Sequence, residues 1–286
     1  MKNRLAAATL AAVGGMAALM LPGASHAATV GYYKGCGHDS NQSQSIIAAG
    51  HTPVAVNTLD AASLAPLDAL VMYTCATTAF PGGDAIDAAV AKGMALVLDN
   101  SEGYGQPSTF LPGSPTFTPS FSCPLDIDIA AGAPIASGIG GSLNNASFDF
   151  TGGICGLTGT VPRAQLPAGA VPFITSSDAN AVGAFGYSYG NGKVAYSISQ
   201  MWQQLPGNTS GFTMPWEAAA STYFTNALVW ALAGSTQQSC ATEGYTGTKL
   251  TWCQNICEKG YTGATLNTWI QRWIGKYRDL PYCAAD

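Results

Sequence analysis

The chain has 286 residues, 47% of them hydrophobic and only 9% charged, and its 11 Lys and Arg against 16 Asp and Glu give a formal net charge of −5. That apolar content supplies a packed core and excludes a disordered chain. The acidic balance excludes an electrostatic nucleic-acid binder.

Residues 1–27 have the three parts of an export signal. Lys2 and Arg4 give a positive start, an apolar run spans 5–21, and Ser25-His26-Ala27 sets small residues at a cleavage site. The expected mature start is Ala28. Two glycines interrupt the run and Pro22-Gly23 ends it, which argues against a membrane anchor, and no later stretch is fit to span a bilayer. No cysteine lies in the segment, so a lipoprotein anchor there is excluded. Export implies an oxidising compartment, secreted or periplasmic. In that setting Cys36, Cys75, Cys123, Cys155, Cys240, Cys253, Cys257 and Cys283 read first as a disulfide framework.

Charge is unevenly spread behind the export signal. Residues 28–234 hold four bases and twelve acids, whereas 240–286 hold five bases and four acids. Half of the cysteines fall in that last stretch. Ser235-Thr236-Gln237-Gln238-Ser239 between them reads as a linker. The expected organisation is an α/β domain over 28–234, the linker over 235–239, and a Cys- and Trp-rich module over 240–286.

In chain order, 29–33 is a short strand and 43–49 a helix that Gly50 is placed to end. Residues 52–56 form a second strand. Residues 67–73 are nearly all apolar, as in a parallel strand buried on both faces. A helix over 84–91 ends before Gly93, and 94–98 is a fourth buried strand. Strands alternating with helices predict a flavodoxin-like parallel sheet covered on both sides. From about 103 to 190 the chain turns rich in Gly, Pro, Ser and Thr, which predicts an insertion of short strands and long loops. Asn191-Gly192 predicts a hairpin between 184–189 and 193–199. Residues 217–232 form a closing helix.

The run Asp68-Ala69-Leu70-Val71, the helix up to Lys92-Gly93 and the strand Ala95-Leu96-Val97-Leu98 resemble the strand–helix–strand core of the class I glutamine amidotransferase-like superfamily. The closest likeness is to its trehalose-utilisation-like branch. Gly192-Lys193-Val194-Ala195-Tyr196-Ser197-Ile198 and Phe224-Thr225-Asn226-Ala227-Leu228-Val229-Trp230-Ala231 are similar to that branch's last strand and helix. The resemblance implies a fold and no activity. A catalytic member needs a cysteine on a sharp strand-to-helix turn, with a histidine and a carboxylate later in the chain. Gly153-Ile154-Cys155-Gly156 and Cys75 are imperfect matches to that turn. Behind the export signal the only histidines are His38 and His51, both before either cysteine, so the family's order cannot be completed.

Gly186-Tyr187-Ser188-Tyr189-Gly190 matches the pattern around a hydrolase serine, but a hairpin follows it instead of the helix that would lift a nucleophile out. In an open α/β sheet, ligands bind beyond the carboxyl ends of the strands. The loops there carry Cys36, His38 and Asp39, then Cys75, then Asp99 and Glu102. One reading makes His38 a base or metal ligand, helped by Asp99 or Glu102. The other pairs Cys36 with Cys75 across neighbouring strands, makes Asp39 a helix cap and leaves Asp99 and Glu102 as solvated acids. Cys123 and Cys155 bracket the insertion and are expected to pair. His51 is read as structural. No pattern calls for a metal or cofactor.

In the last module Gly244-Tyr245-Thr246-Gly247 recurs as Gly260-Tyr261-Thr262-Gly263. Each copy precedes a helical pattern, over 247–258 and 263–278, with Thr246 and Thr262 as candidate N-caps. The expectation is an α-hairpin stapled by two disulfides, Cys240 with one of Cys253 and Cys257 and Cys283 with the other. Trp252, Trp269 and Trp273, with Arg272, Lys276 and Arg278, offer a face for sugar rings or a surface polymer. The opposing reading puts the tryptophans in the small core. The functional expectation is a secreted, non-catalytic binding or surface-associated protein whose partner is an extracellular polymer, an envelope component or another protein. The alternatives are a secreted hydrolase of carbohydrate or amide bonds using His38 with Asp99 or Glu102, and a structural component of an extracellular assembly.

Overall fold

The computed structural model describes residues 27–33, 39–74, 83–100, 111–121, 127–148, 159–198, 205, 217–233, 235, 240–241, 243–259, 261–281 and 283. Residues 1–26, where the sequence reading expects an export signal, Cys36, His38, Cys75, Glu102, Cys123, Cys155 and positions 236–239 of the expected linker lie outside the described residues, as do the side chains of Asp39 and Ser40.

The frame is β1 (Thr29–Tyr33), α1 (Asp39–Ala48), β2 (Thr52–Val56), α2 (Ala61–Leu64), β3 (Ala69–Thr74), α3 (Gly83–Ala91) and β4 (Ala95–Asn100). Short strands follow: β5 (Ser120–Phe121), β6 (Ile127–Ile129), β7 (Ser137–Gly138), β8 (Gly141–Ser142) and β9 (Gly159–Pro162). Then come β10 (Val171–Ser176), β11 (Ala181–Tyr189), β12 (Gly192–Ser197) and α4 (Glu217–Leu232). The main sheet runs β2-β1-β3-β4-β12-β11-β10-β6, with β9 also on β11 and β5 on β9. The five strands from β2 to β12 are parallel, and β11, β10 and β6 continue the same sheet antiparallel. The inserted strands therefore extend the frame instead of forming a separate lobe. A tight turn at Asn191-Gly192 can join only antiparallel neighbours, so it commits β11 to the edge of β12.

Alternation along the strands builds two cores. Ala69, Val71 and Tyr73 of β3 and Ala95 and Val97 of β4 face the layer of α1 and α4. Leu70, Met72, Leu96 and Leu98 face Ile86 and Val90 of α3. All six β4 residues are buried, as expected of a strand covered on both sides. Gly50 and Gly93 end α1 and α3 with φ of 85° and 118°, a region glycine enters without a Cβ clash.

Two local departures have physical causes. Helix α1 begins four residues before the sequence expectation, because Asn41 and Gln42 are buried against the fold despite their polarity. Helix α2 is absent from the sequence expectation. At four residues it is too short to show a period, and it is set by Asp60, whose carboxylate accepts a hydrogen bond from the Ser63 amide at 2.8 Å.

Side-chain hydrogen bonds tie the irregular segments down. Asp87 on α3 accepts from the Gly113 amide at 2.8 Å and from the Tyr189 hydroxyl at 2.7 Å, and Tyr187 donates to the Pro112 carbonyl at 2.9 Å. Asn226 on α4 donates to the carbonyls of Ile135 (2.9 Å) and Gly141 (3.1 Å) and accepts from the Gly140 amide (3.0 Å).

The C-terminal module contains α5 (Gly247–Cys257) and α6 (Gly263–Lys276). Its apolar centre is its own, formed by Cys240, Cys253, Ile256 and Trp273. Thr246 and Thr262 occupy the N-cap positions with extended backbone, but neither hydroxyl makes a capping hydrogen bond. Each is followed by a glycine at positive φ (55° and 57°), and the chain enters the helix through that turn. No described helix is long and apolar enough to cross a membrane.

Candidate functional site

The carboxyl ends of β3, β4 and β12 bring together polar residues that the strands' register dictates. Tyr73 lies beside Asp99, and Ser197 lies on its other side. Asp99 is 2% exposed and Ser197 3%. Tyr223 of α4 closes over them, hydrogen-bonded to Ser197, and burial together with the Asp99 charge pushes its phenol well above the usual tyrosine range. Asn100 points to the opposite face of the sheet and donates to the Tyr196 hydroxyl at 3.1 Å. Burial, and more weakly the charge of Asp99, likewise raises the Tyr196 phenol. Both phenols therefore stay neutral and serve as hydrogen-bonding groups.

The space left around Asp99, Ser197, Leu205 and Tyr223 is about 10 Å³, the lower limit for a single water. Asp99 is thus a buried carboxylate rather than the solvated loop acid of one sequence reading. Sequence alternation could have placed Asp99 on the α4 face of β4, but not the lid that Tyr223 and Leu205 make over it.

His51 lies at the other end of the sheet. It precedes β2, and its Nδ1 accepts from the Ala28 amide at 3.3 Å, while Asp68 accepts from the Thr29 amide at 2.7 Å. Burial lowers the His51 pKa, partly offset by the negative charge of Asp68. A histidine at the amino edge of β1 and β2 cannot reach a carboxylate at the carboxyl edge of β4. His38 and Glu102, the residues proposed to act with Asp99, lie outside the described residues, and of Asp39 only the backbone is described, as the first residue of α1. Ser188 sits within β11 opposite Lys193, in a hairpin with no strand-to-helix turn.

In the C-terminal module, disulfides join Cys240 to Cys253 and Cys257 to Cys283, with Cα separations of 5.7 and 5.6 Å. Cys253 and Cys257 share one face of α5, one turn apart, with sulfurs 3.9 Å from each other. The sulfurs of Cys240, Cys253 and Cys257 lie within 4.8 Å of one another, but each is in a disulfide and offers no thiolate to a metal. Free cysteines are absent among the described residues.

The three tryptophans divide. Trp273 is fully buried, its indole N–H donating to the Asp279 carbonyl, whereas Trp252 and Trp269 are half-buried. Lys249 sits in a cage of Tyr245, Trp273 and Tyr277, its ammonium 4.2, 5.7 and 5.3 Å from the ring centroids. Lys276 lies 5.2 Å from the Trp252 ring, and the Arg272 guanidinium 4.7 Å from that of Trp269. Arg278 is exposed beyond α6. The sequence reading misses Lys249, although its spacing of four from Cys253 places both on one face of α5; Tyr245, which precedes the helix, is brought to it by the turn at Thr246-Gly247. Beside the module, α2 and α3 leave a cleft of about 460 Å³, lined on one side by Leu64, Ala85 and Ala89 and on the other by Cys257, Glu258 and Cys283.

No family model matches the chain, and no curated protein matches it. Solved structures do. The chain is similar to a putative GMP synthase protein from Thermoplasma acidophilum at 13% identity, over 73% of this chain and 95% of that one, with a TM-score of 0.41. It is similar to a putative ThuA-like protein from Bacteroides uniformis at 12% identity, over 73% and 92%, with a TM-score of 0.45. It is also similar to PurLQS from Thermotoga maritima at 12% identity, over 72% and 99%, with a TM-score of 0.40. The glutamine amidotransferase-like resemblance read in the sequence has its counterparts here, as a likeness of fold alone.

Proposed function

We propose that this is an exported, non-catalytic binding or surface-associated protein. Its α/β scaffold (28–234) presents a disulfide-stapled C-terminal module (240–286) that contacts an extracellular polymer, an envelope component or a protein partner. The observation that carries this reading is the set of half-exposed aromatic rings and basic side chains around α6, Trp252, Trp269, Arg272 and Lys276. The two disulfides of the module support an oxidising compartment, in keeping with an export signal at 1–27. The enclosure of Asp99 supports a scaffold without catalysis, because a general base must reach its substrate's proton.

The test compares the full-length secreted protein with a variant ending at residue 234 for association with cells and isolated envelope polymer. Association should be lost with the module, and unchanged association refutes the reading. A hydrolase that uses His38 with Asp99 or Glu102 keeps one supporting observation, the position of Asp99 at the carboxyl edge of β4. It requires a hydrolytic activity that His38→Ala abolishes in a folded protein.

A further inference from the structure

We propose that the partner of the C-terminal module is an anionic saccharide polymer, bound across Trp252, Trp269, Arg272 and Lys276. This deepens the reading above and rests on it. On helix α6, Trp269, Arg272 and Lys276 follow at intervals of three and four; Trp273 falls on the same arc and is buried in the core, Trp269 is half-buried beside it, and Arg272 and Lys276 are exposed. Trp252 reaches the same side from α5 and meets Lys276, which also lies 5.5 Å from the Tyr277 ring. The result is two ring–cation pairs along about 6 Å of helix axis, from a rise of about 1.5 Å per residue.

The cations are not neutralised. Arg272 and Lys276 are exposed, and no carboxylate pairs with either among the described residues. The carboxylate nearest in the module's sequence, Asp279, is exposed three residues beyond Lys276, and that of Glu258 is occupied: it accepts from the Cys240 amide at 2.8 Å. An exposed cation over a half-buried ring is weakly held, whereas a charge-assisted bond to an oxyanion is about twice as strong as a neutral one. Arg272 and Lys276 can therefore turn from the rings to a carboxylate or sulfate. That movement uncovers Trp269 and Trp252, whose apolar faces then pack on the C–H face of a pyranose ring.

Sparse charge selects the polymer. One negative group per sugar matches two isolated cations. Nucleic acid carries a charge about every 1.7 Å of axis and needs many neutralising contacts, and the domain over 28–234, with twelve acids to four bases, repels it. A neutral glycan leaves both cations without a role.

The test uses the full mature protein and polygalacturonate, with its methyl-esterified form and a sulfated galactan as comparison polymers, in gel-retardation and calorimetric titrations at 50 and 500 mM salt. Binding to polygalacturonate should weaken at least tenfold at high salt. Arg272→Gln with Lys276→Gln should lower affinity tenfold or more, and Trp269→Ala should lower it for acidic sugars. Lys259→Gln, in the turn between the helices, should leave it unchanged. Near-ultraviolet circular dichroism checks that each variant is folded. Binding to the sulfated galactan alone assigns the anion as sulfate, and to both polymers as any oxyanion. Equal binding of the esterified polymer, or full affinity in the Arg272/Lys276 double variant, overturns the charge recognition while leaving the module as the binder. Equal competition by polyglutamate overturns the sugar component. A truncation at 234 that keeps full polymer binding overturns the role of the module itself.

Discussion

Asn226 offers a measurement of how the irregular middle of the chain is held to the sheet. It is 3% exposed and makes three hydrogen bonds from α4 to the segment around β7 and β8. In Asn226→Ala the Ile135 carbonyl loses its bond in a buried position, which costs about 1–3 kcal/mol. The groups of Gly140 and Gly141 are closer to water, and each lost bond there costs about 0.5–1.5 kcal/mol. Together the substitution should destabilise by roughly 2–5 kcal/mol, with non-additivity among bonds sharing one side chain. Asn226→Asp is a sharper test at nearly constant volume. The acceptor for Gly140 survives, but the amide donor that faced two carbonyls becomes a carboxylate oxygen, so the loss should match or exceed that of alanine. Thr222→Val, which removes one bond from the Thr222 hydroxyl to the Gly140 carbonyl at 3.1 Å, should cost only about 0.5–1.5 kcal/mol. Urea unfolding with linear extrapolation gives the differences, and limited proteolysis at 135–143 reports where the structure loosens. A change under about 0.5 kcal/mol for Asn226→Ala would refute the claim that these bonds fasten the insertion, since that is the range of a neutral surface substitution.

The module's disulfides should stabilise it mainly by restricting its unfolded chain. With sequence separations of 13 and 26, removing either by paired Cys→Ser exchange should cost about 3 kcal/mol, read from melting of the module's near-ultraviolet Trp signal; no change in melting would contradict this. His51 should make stability fall on acidification: its folded-state pKa lies below the ordinary 6.5, so the unfolded chain takes up the proton first. The histidine imposes no penalty above that value and a growing one as pH drops below it, until the folded pKa is passed. His51→Gln, which keeps an acceptor near the Ala28 amide without titrating, should flatten the dependence of the urea midpoint between pH 7.5 and 5; parallel curves for the two proteins would show that His51 is not its source.

Elements whose cause is local are legible before any contact is known. The strand 52–56 and the helix 217–232 match β2 and α4 to the residue, and Asn191-Gly192 places the hairpin of β11 and β12. The α/β frame follows from apolar runs between helical segments, since burial on both faces leaves a strand no polar side to display. Cys253 and Cys257 are placed on one face of α5 by the helical period alone.

Choices that depend on residues distant in the chain cannot be read this way. Two bridges among four cysteines are possible in three ways, and only the packing of α6 and the return of the chain to Cys283 selects Cys257 as its partner. The same packing buries Trp273 fully and leaves Trp252 and Trp269 half-buried at the margin of that core, although all three are tryptophans on helices. Asp99 becomes a buried group because Tyr223, more than a hundred residues later, folds over it. Periodicity records which side of an element is apolar; what that side meets is a matter of three-dimensional neighbours, whose energies outweigh local preference wherever the two compete.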